Sequence, residues 1–252
     1  MRTSLQWLAA CVGFATLVTV AILFEYLIRA GVVDRYLIPP PSDVLAAVIR
    51  LIAEEGVTYR FLVTSAETFS AGLLLALIGV PLGVVLYWIP LLRRSFESWL
   101  AALAAAPIIL AYPLFIVIAG RGSLTVILIA FIAALPAVVL KTLDGLSNAR
   151  AVYVQVARSL NASRWQVLTK VLFPAALPSI FAGLRLGLLF ALLNIVGVEF
   201  LINTGGLGQL VNELSERYDL AGMYGAILCT MLVSILFYLL SDRLERSVRS
   251  VQ

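Results

Sequence analysis

The chain has 252 residues, of which 62% are apolar and 13% are charged, and its formal net charge is +4. That apolar share is too large for a soluble fold of this length to bury, so the composition excludes an ordinary soluble domain and indicates a bilayer solvent. The positive excess does not point to nucleic acid, because the basic residues lie in short loops beside apolar runs.

Apolar runs along the chain predict an all-α fold, a polytopic membrane helical bundle. The runs predict about six transmembrane helices, near residues 7–28, 64–89, 98–118, 123–141, 175–198 and 222–241. Runs of this length can cross roughly 30 Å of hydrocarbon. Because they are spread along the whole chain, we expect a single membrane domain over residues 1–252, with a first span and outer amphipathic segment at 1–63, a core at 64–241 and a tail at 242–252.

The first run is about twice the length of a usual signal-peptide core, which favours a retained helix over the signal-peptide alternative. After it come the stiff Pro39-Pro40-Pro41, then Ser42 as an expected helix cap, then an amphipathic stretch with Arg50. We expect this segment to lie along one membrane surface.

The distribution of basic residues predicts the orientation. With a cytoplasmic N-terminus, most of the 18 basic residues fall in the inner loops and the C-terminal tail. The positive-inside rule therefore predicts that both termini are cytoplasmic.

The segment 141–178 is too long for a simple turn and has a helical pattern of its own. Val152, Val156 and Leu160 recur at helical spacing, and Ser163 with Gln166 forms a capping box for a second helix. Asn161 lies between them and tolerates a left-handed backbone. The segment is predicted to be helix, turn, helix.

The same segment has the spacing of a known signature. It reads Gln155-Val156-Ala157, three residues, Asn161, nine residues, Val171, one residue, Phe173-Pro174. This resembles the cytoplasmic signature of inner-membrane permeases of binding-protein-dependent ABC importers. Ala157 and Pro174 are retained and the other five positions are substituted, among them Gln155 for the family's glutamate and Asn161 for its glycine. Further similarity to the nitrate, sulfonate and taurine group lies in three stretches: Leu37 to Ser42, Glu199-Phe200-Leu201 and Gly205-Gly206-Leu207-Gly208.

The resemblance implies a type I ABC importer permease fold in a bacterial inner membrane, with two permease copies on a dimer of ATPase subunits. ATP and Mg would be bound by those subunits, with no cofactor in this chain, and a binding protein would deliver substrate from outside. The loop 142–174 would hold the cytoplasmic coupling helix. The residues implied in ATPase coupling are Gln155, Val156, Ala157, Arg158, Ser159, Leu160, Asn161, Ala162, Ser163, Arg164 and Trp165.

Within this segment we expect Leu160, Ala162 and Trp165 to form an apolar knob, flanked by Arg158 and Arg164 that fix its register on a partner. The alternative is an amphipathic helix lying on lipid headgroups, with its arginines on phosphates.

Three residues of the fifth span are candidates for the translocation pathway: Arg185, Asn194 and Glu199. Ionisable groups inside spans tend to face an aqueous path or a partner. For Arg185 the alternative is snorkelling or pairing with another helix, and for Glu199 simple interface placement. The glycines at 205, 206 and 208 are expected to form a flexible outer loop.

The competing classes are a self-sufficient channel or secondary transporter and a membrane enzyme. The former would need ion-coupling carboxylates near the midplane, and neither these nor internal repeats are recognised. The sequence has no histidine and no recognised catalytic pair, so we predict no catalytic residue and no metal site. It also lacks a phosphate-binding loop, so ATP would be hydrolysed by another polypeptide. The substrate stays open, with a sulfonate, taurine or nitrate ahead of a vitamin precursor, riboflavin or an aromatic acid.

Overall fold

A computed structural model describes residues 2–35, 37–149 and 151–249. Every regular element among them is a helix, which confirms the predicted all-α class. The helices are α1 (Arg2–Arg29), α2 (Pro41–Glu54), α3 (Val57–Leu74), α4 (Val80–Trp88), α5 (Pro90–Ala105), α6 (Tyr112–Ala119), α7 (Ser123–Ser147), α8 (Ala151–Ser159), α9 (Arg164–Val167), α10 (Phe173–Ile202), α11 (Leu207–Glu216) and α12 (Leu220–Arg249).

Two pairs of these helices are joined without a break through single π-helical turns. Leu75–Gly79 joins α3 to α4, and Leu168–Leu172 joins α9 to α10. A proline follows each turn, Pro81 and Pro174. Because proline has no N–H and crowds the preceding turn, the wider helical turn before it is a local accommodation. The joined helices are 32 residues (Val57–Trp88) and 39 residues (Arg164–Ile202) long.

Five helical segments among the described residues are long and apolar enough to cross a membrane, and the number reaches six if a bent pair counts as one span. That pair replaces the predicted straight helix at 98–118. Pro90–Ala105 and Ile108–Ala119 meet at 87°. Ala106 is extended with ψ of 133°, as expected for a residue before proline, here Pro107. The prediction of one continuous helix at 98–118 was therefore wrong.

The centre of the bundle is the contact between α7 and α10, onto which α3 packs. Small residues allow the two helices to approach closely, since a Cβ on Gly183 or Gly187 would overlap Lys141 or Val138 of α7. The fully or almost fully buried residues of this core are Ala71, Leu75, Val126, Ile129, Ala130, Ala134, Val138, Ala191, Ile195, Val198 and Ile202.

The N-terminal helix α1 is mostly exposed along its described side chains and is joined to α2 by a polar contact. The Glu25 carboxylate accepts hydrogen bonds from the backbone N–H of Ser42 at 3.0 Å and from its hydroxyl at 2.8 Å. The prediction that Ser42 caps its own helix was wrong, because α2 begins one residue earlier with Pro41 after Pro40 and no side chain caps it. Pro41 suits a first helical position, where its missing N–H costs nothing.

Candidate functional site

The turn between α8 and α9 closes as a Schellman motif centred on Asn161. Asn161 has φ of 56°, and its N–H bonds the carbonyl of Arg158 at 3.0 Å while the N–H of Ala162 bonds the carbonyl of Ala157 at 3.0 Å. These two bonds satisfy the last carbonyls of α8. The predicted left-handed turn at Asn161 is confirmed.

The second helix starts with the predicted capping box. The Ser163 hydroxyl accepts from the Gln166 backbone N–H at 3.2 Å, and the Gln166 side chain accepts from the Ser163 N–H at 2.8 Å. This helix does not end within the loop, because it continues through the π-helical turn into α10. The turn at Asn161 is therefore attached directly to the long helix Arg164–Ile202.

The helix α8 is anchored on one face and exposed on the other. Ala157 is buried in a cluster with Val167, Leu168 and Leu172, so the short helix is held against the start of the long one. Beside this anchor, Val152 and Val156 of α8 and Leu160 just after it are exposed at 60%, 53% and 77%. A row of three exposed aliphatic side chains is unusual on a polar, arginine-bearing helix and is typical of a covered surface.

The predicted knob needs one correction. Leu160 and Trp165 are exposed, but Ala162 packs partly buried against the cluster around Leu168. The exposed apolar surface instead includes Val152 and Val156, whose side chains on α8 are exposed. Trp165 stands edge to face with Trp88, with ring centroids 6.3 Å apart.

The polar residues predicted for the coupling segment lie on its surface. Gln155, Arg158 and Arg164 are exposed, as is Ser159, whose hydroxyl donates to the Val156 carbonyl at 2.8 Å. Cavities of about 670 and 590 Å³ lie beside α8, the first lined in part by Tyr153 and Lys170 and the second by residues that include Arg158 and Arg164. The segment is therefore a ridge with a cavity beside each flank.

Arg185 is tied to α12. Its guanidinium pairs with Asp242 at 3.1 Å and lies over the Tyr238 ring, 5.5 Å from the centroid. Both carboxylate and guanidinium are mostly buried. This position favours the alternative that Arg185 joins two helices, and its role in a pathway stays a prediction.

Asn194 lines a groove of about 610 Å³. Its amide donates to the Phe190 carbonyl one turn earlier at 2.9 Å. The walls are mostly apolar, and Lys141 and Asp144 add charged groups. The residues lining it are Ala104, Ala106, Pro107, Ile108, Ile109, Ala133, Ala137, Leu140, Lys141, Asp144, Leu186, Phe190, Leu193 and Asn194.

Glu199 lies inside the bundle, with no exposed surface. The Thr64 hydroxyl donates to its Oε1 at 2.7 Å, and the backbone N–H of Gly208 donates to its Oε2 at 2.8 Å. Thr64 in turn accepts from the Leu207 N–H at 3.0 Å. The side chain holds the start of α11 and does not face a cavity, so its position does not support the predicted pathway role.

The prediction that the glycines at 205, 206 and 208 form a flexible loop is also wrong, because this segment packs closely against Glu199 and its neighbours. Gly206, Leu207 and Gly208 are buried, and a Cβ on Gly206 would overlap the Glu199 carboxylate while one on Gly208 would overlap the Val196 carbonyl. The glycines allow close approach of two backbones, and the loop is packed.

Glu67 of α3 was missed. It is 3% exposed and lies within hydrogen-bonding reach of the Glu199 carboxyl group. A single glutamate in the otherwise apolar run 64–89 was a signal in the sequence, since intramembrane carboxylates are costly and mark partners or function. Its partner could not be read from the chain because the two residues are 132 positions apart, at 67 and 199.

The fold is thus a polytopic helical bundle with an anchored, partly apolar ridge at one end of its long central helix. Residues 56–250 match the family described as binding-protein-dependent transport system inner membrane component. The chain belongs to this family and is the permease subunit of an ABC importer.

Relatives within the family are transport permeases. The chain is 30% identical to the taurine transport system permease protein TauC of Escherichia coli, over 71% of this chain and 67% of TauC. It is 31% identical to the glycine betaine/proline betaine permease protein ProW of Escherichia coli, over 81% of this chain but only 57% of ProW. The fold is similar to that of a chain of the MetNI methionine ABC transporter, whose structure was determined in an inward-facing conformation; the TM-score is 0.69 at 24% identity, over 76% of this chain and 95% of that chain.

Proposed function

We propose that this chain forms the translocation pathway of its importer as a single membrane domain and is driven by separate ATPase subunits that bind residues 155–165. The observation that carries the proposal is the exposed aliphatic row Val152, Val156 and Leu160, on and just after a helix that Ala157 anchors to the start of Arg164–Ile202. A surface of this kind suits a groove on a protein partner, with Arg158 and Arg164 at its edges.

One continuous helix, Arg164–Ile202, leads from this ridge into the membrane. The long helix spans roughly 58 Å at 1.5 Å per residue, and it carries Asn194 in the groove and Glu199 at the far end. Because the α8 cluster packs on the first turns of that helix, a push on the ridge moves the helix as a rigid body. ATP and Mg would be held by the partner subunits, and this chain would supply motion and path.

For the substrate we propose a small anion such as a sulfonate, taurine or nitrate. The similarity to TauC supports this class, and Lys141 with Asn194 offers the groove a cation and an amide. A vitamin precursor, riboflavin or an aromatic acid is the alternative, since the similarity to ProW shows that related permeases serve chemically different solutes.

For the assembly we propose two copies of the chain, an extracytoplasmic binding protein and cytoplasmic termini. Copies related by two-fold symmetry are the common solution for such subunits. The orientation follows from the excess of basic residues that it places inside, and it puts α8 in the cytoplasm with the ATPase.

The test is co-purification. Co-expressed candidate ATPase subunits should be retained by a tag on the wild-type chain and lost with the double variant Val156→Glu, Leu160→Glu. A matched control, Ser95→Glu, adds negative charge at another exposed position, on α5, and should retain the ATPase. If no ATPase is retained by the wild type and the chain alone conducts in liposomes, the chain is a channel and the proposal fails.

A further inference from the structure

The packed outer loop is held by side chains from two spans. Glu199 of α10 and Thr64 of α3 together occupy the first backbone N–H groups of α11, at Leu207 and Gly208. A carboxylate at a helix N-terminus is favourable because the free N–H groups and the helix dipole attract negative charge. These contacts favour the ionised form of Glu199.

Glu67 is the member of this cluster without an assigned partner. Neither of its carboxyl oxygens receives a well-aligned O–H or N–H donor, although the Ser123 hydroxyl at the start of α7 lies close enough to interact with it. Glu67 lies about one turn along α3 from Thr64, whose hydroxyl donates to Glu199, so the buried carboxyl groups of Glu67 and Glu199 are neighbours. A buried polar group in this position needs either a proton of its own or a bound cation.

The charged groups on the surrounding helices do not neutralise both glutamates. Arg60 of α3 acts on Glu199 but forms its ion pair with Glu213 of α11, at 2.7 Å. Arg121, before α7, donates to the carbonyl of Ile202 at 2.6 Å. The Arg60 guanidinium is thus divided between Glu199 and Glu213, and two adjacent anions in a buried site repel each other strongly.

We propose that Glu67 and Glu199 share one proton, and that this proton holds the outer loop 203–208 and α11 against α3. Glu67 carries the proton as a neutral acid, and its O–H donates to the Glu199 carboxylate. Glu199 then accepts from Glu67, Thr64 and Gly208, and no donor or acceptor of the pair needs a cation. Loss of the proton leaves two adjacent anions and loosens α11 from the bundle.

This pair goes beyond coupling to the ATPase, because it acts at the opposite end of the long helix. It makes Glu67 a positioning residue for the outer side of the permease. An amide can replace the neutral acid as a donor, whereas an alanine cannot, and that difference separates a shared proton from simple packing.

The experiment uses the full chain in lipid nanodiscs at neutral pH. Infrared spectra should contain a protonated carboxylic acid band that shifts in D₂O, is absent in Glu67→Gln and persists in the control Glu97→Gln, a half-buried glutamate of α5 that pairs with Arg93. Glu67→Gln should keep the Tm within about 2 °C of wild type, and Glu67→Ala should lower it by about 5 °C.

Two results would overturn the proposal. One is the absence of the acid band from wild type, or its persistence in Glu67→Gln. The other is a higher Tm of wild type in sodium or calcium chloride than in choline chloride, with no such difference in Glu67→Gln. That result would show that the site binds a metal cation. Neither measurement involves the ATPase, so the outcome of this test is independent of the outcome for the proposed function.

Discussion

Asn161 is where the chain reverses between α8 and the long helix. Its φ of 56° is a conformation that glycine adopts without cost, asparagine tolerates and a β-branched residue adopts only at a penalty of about 1–2 kcal/mol. The shape of the ridge therefore depends on one backbone position.

We expect Asn161→Gly to leave the stability of the chain unchanged and Asn161→Val to lower it by about 1–2 kcal/mol. The valine variant should also lose ATPase co-purification, because the Schellman turn sets the direction of α8. Thermal unfolding in detergent measures the first effect. Equal stability of the two variants would show that the turn does not need a left-handed residue.

The glycines beside Glu199 are the second position-specific feature. Gly208→Ala should cost about 1–3 kcal/mol, because the added Cβ overlaps the Val196 carbonyl and the Glu199 side chain. Gly122→Ala is the matched control, since Gly122 is extended at φ of 172° and has open space around it. If both variants unfold alike, the outer loop is less closely packed than described.

Local signals made the ridge predictable from sequence, and distant contacts made the outer cluster unpredictable. The turn at Asn161 and the capping box at Ser163 involve residues within a few positions of one another. The environment of Glu199 depends on Thr64 and Glu67, which a different span brings to it. The sequence therefore indicated that Glu199 is unusual, but it did not indicate that its side chain packs against Thr64 and Gly208.

At the level of elements, the contact between α10 and α12 depends on a partly buried ion pair. Arg185 and Asp242 should show a coupling energy of about 1 kcal/mol in a double-mutant cycle with Arg185→Leu and Asp242→Asn. The same variants should leave the KM for substrate unchanged in reconstituted transporter. A KM raised by Arg185→Leu but not by Asp242→Asn would instead place Arg185 on the path.

The predicted spans were right in number only when the bent pair is counted as one. Periodicity and hydropathy located each apolar run, but they do not encode the direction in which the chain leaves a proline. Pro107 turned one predicted helix into two at 87°, whereas the helix carrying Pro81 continues after a π-helical turn. Packing on α7 and α10 decides between these outcomes, and that packing cannot be read locally.

The whole molecule is organised around one helix that joins the ridge, the groove and the outer loop. If this helix transmits motion, a flexible point near its start should uncouple the two ends. The double variant Thr169→Gly, Lys170→Gly changes exposed positions and weakens the helix by about 1 kcal/mol per residue. We expect ATPase binding to persist while uptake falls at least tenfold.

The control for this variant is Thr169→Ala, Lys170→Ala, which keeps helix propensity while removing the same side chains. It should retain uptake close to wild type. Normal uptake by the glycine variant would contradict transmission through the helix, and loss of uptake in both variants would assign the effect to the side chains themselves.

The most direct measurement is cross-linking from Leu160. With Cys11 and Cys229 replaced by serine, single cysteines at Leu160, Val156 and, as a control, Ser95 would carry a short cross-linker in the assembled transporter. We expect adducts with the ATPase subunit from the first two positions and none from the third. Adducts with lipid and none with protein at Leu160 would show that the ridge lies on headgroups, and would contradict a coupling role.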